Sequence, residues 1–157
     1  MKIYLVAVGK RMPDWVRTGF LEYARRMKRE CILELIEVSA KKRSGKFDIN
    51  RLLRDEGEAL LAAVPRRSII IALDRKGKSI DTQNLADTIN NWMQEGSDVA
   101  LLIGGPEGLS SECIGEADQV WSLSKLTLAH PVVRVVLAEQ LYRAWSLLKK
   151  LPYHRGD

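Results

Sequence analysis

Segment 104–108, Gly-Gly-Pro-Glu-Gly, is the first place in this sequence where residue types and spacing could bind a ligand. Glycines have no Cβ, so a ligand or another stretch of main chain can approach them closely. The spacing is not Gly-x-Gly-x-x-Gly, and the Gly-Lys-Ser/Thr of a phosphate-binding P-loop is missing, which argues against a dinucleotide or a nucleoside triphosphate. A tight turn with positive backbone angles and no ligand would explain the same residues.

A second segment, 122–128, alternates polar and apolar residues and precedes His130 and Pro131. Its main-chain groups could bind a ligand, although an edge strand followed by a helix cap is an alternative. The chain has two histidines, His130 and His154, and both lie near this segment in sequence. Histidine can act as a general base near neutral pH, but at a helix start it is often only a polar cap.

Arg134 is an anomaly within the last predicted helix. At about 100° per residue it lies on the apolar face with Leu137 and Leu141, so it needs a partner, which a structural carboxylate, a facing subunit or a ligand could supply. Glu139 and Arg143 are four residues apart and are expected to pair on the polar face. The sequence contains no Ser-His-Asp order, metal-ligand cluster or paired-carboxylate motif, so hydrolysis and metal catalysis have little support.

The elements that must position these residues follow from the hydrophobic pattern. Strands are predicted at 2–8, 31–38, 68–73, 98–103 and 119–123, and helices at 14–29, 48–64, 82–95, near Ser110 and at 131–151. Trp15, Phe20, Leu21 and Ala24 form the predicted apolar stripe of the first helix, and residues 74–79 are a predicted loop. Strands that alternate with helices indicate an α/β domain with a mainly parallel sheet and helices on both faces. Ligands bind outside the carboxyl ends of such strands, which points to the loops after Leu73, at 104–108 and at 122–130.

The composition supports one domain over residues 1–157, because domains usually hold roughly 100 to 200 residues. Hydrophobic residues make up 46% of the chain, which excludes general disorder, and no apolar run approaches the roughly 20 residues that span a bilayer. We therefore expect a cytoplasmic protein. Cys31 and Cys113 have no metal-ligand spacing and are predicted to be reduced structural thiols.

Charge is distributed unevenly along the chain. Residues 1–67 carry a net charge of +7, residues 68–124 carry −6 and residues 125–157 carry +4. The loop 41–46 has four cations in six residues. Basic surfaces attract the phosphate backbone of RNA or DNA, although an ordinary solubilising surface has the same composition.

The sequence resembles the RlmH family of ribosomal RNA large-subunit methyltransferases, which belong to the SPOUT class. The resemblance covers essentially the whole chain. It is carried by LVAVGK at 5–10, LLIGGPEGL at 101–109, LSKLTL at 123–128, His130-Pro131 with Val133-Arg134-Val135, EQLYRA at 139–144 and Tyr153-His154-Arg155.

The resemblance implies a C-terminal trefoil knot, a homodimer and the cofactor S-adenosylmethionine, with no metal. It also implies methyl transfer to N3 of a pseudouridine in helix 69 of 23S rRNA, on assembled 70S ribosomes. By similarity, the cofactor-binding residues are Leu73, Gly104, Gly105, Leu123, Ser124, Lys125, Leu126, Thr127 and Leu128.

The resemblance also suggests roles for the remaining polar residues. His154 or His130 is expected to help deprotonate N3, and Tyr153 to stack on or hydrogen-bond the base. Arg143 and Arg155 are expected to bind phosphate or the developing anion. A non-catalytic ribosome-associated factor and a tRNA methyltransferase of the same class are the alternatives.

Overall fold

The computed structural model describes residues 1–43 and 45–154, with only the main chain of His154. The strands are β1 (Lys2–Val8), β2 (Ile32–Val38), β3 (Ile69–Ser79), β4 (Val99–Ile103) and β5 (Gln119–Ser122). The helices are α1 (Asp14–Ala24), α2 (Ile49–Ala63), α3 (Thr82–Glu95), α4 (Ser111–Glu116) and α5 (His130–Leu148), followed by a short 3-10 helix at Pro152–His154. In the described part of the chain, no helix is long and apolar enough to cross a membrane.

The five strands form one sheet in the order β2-β1-β4-β3-β5, and every pair is parallel. Apolar residues of α1, α3 and α5 pack on one face, including Phe20, Ile89 and Leu141. Leu60 of α2 and Cys113 of α4 belong to the core on the other face. This arrangement confirms the predicted α/β fold with a parallel sheet and helices on both faces.

Local signals in the sequence set several helix boundaries. The Asp48 carboxylate accepts hydrogen bonds from the main-chain N–H groups of Asn50 and Arg51, and so caps α2. Asp81 caps α3 in the same way, and Gly96 ends that helix in the left-handed conformation with φ 69°. Cys31 and Cys113 are buried and unpaired, as expected for structural thiols.

Three predicted boundaries were wrong. Helix α1 ends at Ala24 instead of 29, because Met27 turns into the core and Arg29 takes a positive φ of 60°. Helix α5 begins at His130 and ends at Leu148 instead of 151, since Lys150 also takes a positive φ, 55°. Residues 74–79 are not a loop but the second half of β3, which pairs with β5 after a shift in register.

The apolar stripe predicted for α1 was also partly wrong. Trp15 is 54% exposed, whereas Val16 takes its place among the buried residues with Phe20 and Ala24.

The parallel sheet gives the molecule two distinct ends. At the carboxyl end of the sheet, the main-chain N–H of Gly9 donates to the carbonyl of Val38, at 2.7 Å. At the amino end, the main-chain N–H of Ile32 donates to the carbonyl of Met1, at 3.2 Å. The basic loop 41–46 follows β2 at the carboxyl end, whereas residues 25–31 precede β2 at the amino end.

Candidate active site

A pocket of about 700 Å³ lies at the carboxyl end of the sheet, within the size range of ligand sites in proteins. Three stretches of chain line it: 73–76 at the bulge of β3, 103–108 after β4, and 121–130 without Lys125 between β5 and α5, together with Val133. These are the three loops predicted from the sequence. Of the nine predicted cofactor-binding residues, all except Lys125 line the pocket.

The glycine loop 104–108 folds as a tight turn. The main-chain N–H of Gly108 donates to the carbonyl of Gly105 at 2.9 Å, with Pro106 at the position of a turn where proline is favoured. Gly108 takes a positive φ of 82°. A Cβ on Gly104 would overlap the main chain of Gly108, so glycine is required for the turn to close on itself. A constrained turn, the alternative to a ligand site, therefore explains part of this glycine pattern.

The segment between β5 and α5 is held by side-chain hydrogen bonds rather than by regular structure. Ser122 Oγ donates to the carbonyl of Ser124 at 3.2 Å, and Ser124 Oγ accepts from the main-chain N–H of Leu126 at 2.9 Å. Arg75 Nη1 donates to Thr127 Oγ1 at 2.7 Å, which ties this segment to β3 across the pocket. The Leu126 side chain is 74% exposed at this place.

The bulge of β3 is possible because of Gly77. A Cβ at Gly77 would lie 2.7 Å from main-chain atoms of Val120 and Trp121 on β5. Main chain cannot yield as a flexible side chain can, so a larger residue would push β3 and β5 apart. Gly77 therefore keeps Leu73 and Trp121 close together in the pocket wall.

His130, the first residue of α5, lines the pocket. Its Nδ1 is buried and, among the described residues, has no hydrogen-bond partner. Burial lowers the pKa of His130 below its ordinary value of 6.5, and the charges of Arg134 and Arg43 lower that pKa further, against the opposing effect of Glu107. His130 is thus neutral at pH 7 and able to accept a proton.

The partner of Arg134 is structural. This side chain is 0% exposed, and its Nη1 donates to Glu37 Oε2 at 2.6 Å. Its Nη2 donates to the carbonyls of Val8 and Gly9 at 3.0 and 2.8 Å. Arg134 therefore joins the start of α5 to the carboxyl ends of β1 and β2, one helical turn after His130.

Tyr153 and Arg143 lie elsewhere, and neither lines the pocket. Both contact Glu139: Tyr153 donates its hydroxyl at 3.0 Å, and Arg143 donates Nε at 2.9 Å. The predicted Glu139–Arg143 pair is thereby confirmed. His130 and Arg143 are on one helix, and at 1.5 Å per residue their main chains are about 20 Å apart.

The surroundings of Tyr153 are aromatic. Its ring centroid lies 4.7 Å from that of Tyr142 and 6.4 Å from that of Tyr23, and Arg143 Cζ is 5.0 Å from the Tyr153 centroid. Burial raises the pKa of Tyr153, as does its hydrogen bond to Glu139. Tyr153 is therefore a neutral hydroxyl at physiological pH. It follows the end of α5, where Lys149 pairs with Glu30 just before β2, so it lies towards the amino end of the sheet.

Several pocket residues were missed by sequence reasoning, namely Asp74, Arg75, Ile103, Glu107, Trp121 and Val133. Of these, Asp74, Arg75 and Glu107 lie within the loops that the sequence indicated but had no predicted role, whereas Ile103, Trp121 and Val133 lie outside those loops. Among the predicted catalytic and substrate-binding residues, the side chain of His154 and the whole of Arg155 lie outside the described residues.

Comparison with known proteins agrees with the fold. A family model described as predicted SPOUT methyltransferase matches residues 1–154. A relative named Ribosomal RNA large subunit methyltransferase H, from Thioalkalivibrio sulfidiphilus (strain HL-EbGR7), is 52% identical over 155 residues, which cover 99% of each chain.

Two solved structures are similar in fold at low sequence identity. One, described as structural insights into the 2-OH methylation of C/U34 on tRNA, has a TM-score of 0.51 and 17% identity, and the match covers 92% of this chain and 97% of the other. The other, a probable methylase family protein from Haemophilus influenzae Rd KW20, has a TM-score of 0.56 and 12% identity, covering 97% and 69%. These two structures support the fold, while the family model over residues 1–154 and the 52% identical relative show that this chain belongs to the SPOUT methyltransferase family.

Proposed function

We propose that this protein is an S-adenosylmethionine-dependent methyltransferase that modifies N3 of a pseudouridine in helix 69 of 23S rRNA. The observation that carries the proposal is the near-complete, 52% identical match to a relative named as a ribosomal RNA large-subunit methyltransferase. The pocket at the carboxyl end of the sheet supports it, because it collects the glycine loop, the segment before α5 and His130.

The pocket fits the cofactor in chemistry as well as size. Leu73, Ile103 and Val133 supply apolar wall for an adenine ring, while the main chain of 123–128 offers N–H and C=O groups for its polar edge. When bound, S-adenosylmethionine supplies an electrophilic methyl group on a sulfonium. The residues that would hold it are Leu73, Gly104, Gly105 and 123–128.

The task left to the protein is to remove a proton and align the acceptor nitrogen. N3 of the base is a weakly acidic imide, so a neutral imidazole can accept its proton. His130 lines the pocket, and its lowered pKa keeps the ring mainly neutral at pH 7, which supports that role. His154 remains the other candidate for the general base. Tyr153 would contact the nucleobase, and Arg143 and Arg155 would bind phosphate or the developing anion.

The distribution of these residues supports a homodimer. Within one chain, about 20 Å of α5 separates His130 from Arg143, too far for both to contact one base. A second copy could bring its Tyr153 and Arg143 to this pocket. Trp15 on α1 and Val132 on α5, 54% and 36% exposed, provide apolar surface for such a contact. The trefoil knot implied by the family stays a prediction.

RNA binding is assigned to basic surface on both ends of the molecule. Lys41, Lys42 and Lys46 are exposed at the carboxyl end, while Arg25, Arg26, Lys28 and Arg29 are exposed at the amino end. A single RNA-facing surface that contains both groups is expected only in the dimer. Residues 1–157 would bind the RNA and carry out the reaction as one domain. Ribosomal RNA as the substrate implies that the protein acts in the cytoplasm.

The experiment that tests this function is transfer of labelled methyl from S-adenosylmethionine to 70S ribosomes, separated subunits and tRNA in parallel. Label on 23S rRNA in 70S ribosomes, mapped to helix 69, is the expected result. Label on tRNA alone would favour the tRNA methyltransferase alternative. If no RNA is labelled while ribosomes still bind, the non-catalytic alternative is correct.

A further inference from the structure

Arg43 connects the basic loop 41–46 to the glycine loop of the pocket. Its Nε donates to Glu107 Oε2 at 2.6 Å, and its Nη2 donates to both carboxylate oxygens of Glu56, at 2.9 and 3.0 Å. Its Nη1 donates to the carbonyl of Lys41 at 3.0 Å. All three guanidinium nitrogens are thus used, and they join loop 41–46, helix α2 and loop 104–108.

This cluster is too buried to be an ordinary surface ion pair. The side chain of Glu56 is 3% exposed, and those of Arg43 and Glu107 are 20% and 19% exposed. Glu56 also accepts a hydrogen bond from the main-chain N–H of Lys41 at 3.0 Å. A buried carboxylate with a planar, multiply bonded guanidinium defines one geometry, which a lysine could not reproduce.

Gly105 gives independent support. A Cβ at this position would lie 2.9 Å from Arg43 Nη2 and 3.3 Å from Val8 Cγ1. A larger residue at 105 would displace the hydrogen-bonded guanidinium that packs against it, whereas glycine at 104 is required by the turn itself. Glycine therefore occupies positions 104 and 105 for two different structural reasons.

We infer that Arg43 is a positioning residue that holds Glu107, and through it the glycine loop, in the conformation that binds the cofactor. The inference rests on the proposed S-adenosylmethionine-dependent function. Without Arg43, Glu107 loses its partner beside the pocket, and the loop is free to leave the binding conformation. If only about a tenth of the molecules then hold that conformation, the apparent Kd for the cofactor rises about tenfold.

The test is the Kd for S-adenosylmethionine, measured by calorimetry on the full chain for wild type, Arg43→Ala, Glu107→Gln and the double variant. Glu107→Gln leaves the Arg43–Glu56 pair intact, so it is informative even if Arg43→Ala folds poorly. Lys42→Ala is the matched control, because Lys42 is the neighbouring cation and is exposed. Binding to 70S ribosomes is measured by co-sedimentation for the same variants.

We expect Arg43→Ala and Glu107→Gln each to raise the cofactor Kd about tenfold, and the double variant to raise it no further than the larger single change. Lys42→Ala should leave the cofactor Kd unchanged and should weaken ribosome binding instead. The inference is wrong if both single variants bind the cofactor within about twofold of wild type. It is also wrong if the two effects multiply, since Glu107 would then contact the cofactor directly. If wild type binds no S-adenosylmethionine, the proposed function fails, and this inference with it.

Discussion

The polar side chains at the two ends of the sheet differ in how completely they are hydrogen-bonded. At the carboxyl end, His130 faces a pocket with a buried nitrogen that has no partner among the described residues. At the amino end, Tyr153 and Arg143 both bond Glu139 and pack on each other. The first end is an open pocket, and the second is a surface whose polar side chains already bond each other. Under the proposed function, each chain would carry two half-sites that a dimer combines.

The largest expected effect is at the carboxyl end, on replacing His130. His130→Ala should slow single-turnover methyl transfer on 70S ribosomes by about 10²- to 10³-fold, because a general base typically contributes that much. His154→Ala is measured in parallel, since either histidine could be the base. Near-normal transfer by both variants would eliminate histidine general-base catalysis.

The pH dependence of the same reaction sharpens this assignment. The folded pKa of His130 is lowered below 6.5, so most of the rings are neutral, and able to accept a proton, above that pH. Transfer limited by His130 should therefore stay constant as pH falls towards 6.5 and decline only in more acidic solution. A decline that begins at or above pH 7 in wild type would instead indicate a base other than His130.

Arg134 is expected to control the stability of the carboxyl end rather than the chemistry. Arg134→Met removes the only guanidinium that, in the described part of the chain, bonds Glu37 and the carbonyls of Val8 and Gly9. The free energy of unfolding should fall by about 3 kcal/mol, the lower end for breaking a buried ion pair, since Glu37 is partly exposed. Urea unfolding measures it, with Arg54→Met on the exposed surface of α2 as control. Equal stability of the two variants would show that Arg134 is dispensable for the fold.

Mixed dimers test whether the two half-sites combine. Arg143→Ala should reduce transfer about tenfold, as expected for loss of a charged hydrogen bond to RNA, while the cofactor Kd stays unchanged. Mixing it with His130→Ala after unfolding and refolding should restore about a quarter of wild-type activity, because half of the dimers are mixed and each of those holds one intact site. If mixing restores nothing beyond the average of the two variants, each chain must use its own Arg143 or none.

Much of the fold and part of the site could be predicted because their signals are local. The caps at Asp48 and Asp81 act within three residues, and the parallel-sheet rule locates the pocket loops without side-chain detail. The extension of β3 could not be predicted, because it depends on Gly77 fitting against the main chain of β5.

The polar clusters were not predictable for a similar reason. Arg43 and Glu107 are 64 residues apart, and Arg134 and Glu37 are 97 apart, so no periodicity relates them. Periodicity did show that Arg134 needed a partner, since its charge lies on an apolar face. It could not name that partner, because the choice depends on how α5 crosses β1 and β2.

The smallest expected effects concern single lysines at the two ends. Lys42→Ala and Lys28→Ala should each weaken binding to 70S ribosomes only a few-fold, and each should reduce the slope of log affinity against log salt by about 1 if both lysines contact phosphate. Comparable losses at both ends would mean that one RNA-facing surface spans the dimer. A loss confined to Lys42 would restrict RNA contact to the carboxyl end, where the pocket lies, and would remove the amino end from the proposed surface. An affinity that does not change with salt would contradict the electrostatic account at both ends, because phosphate contacts release counterions wherever they form.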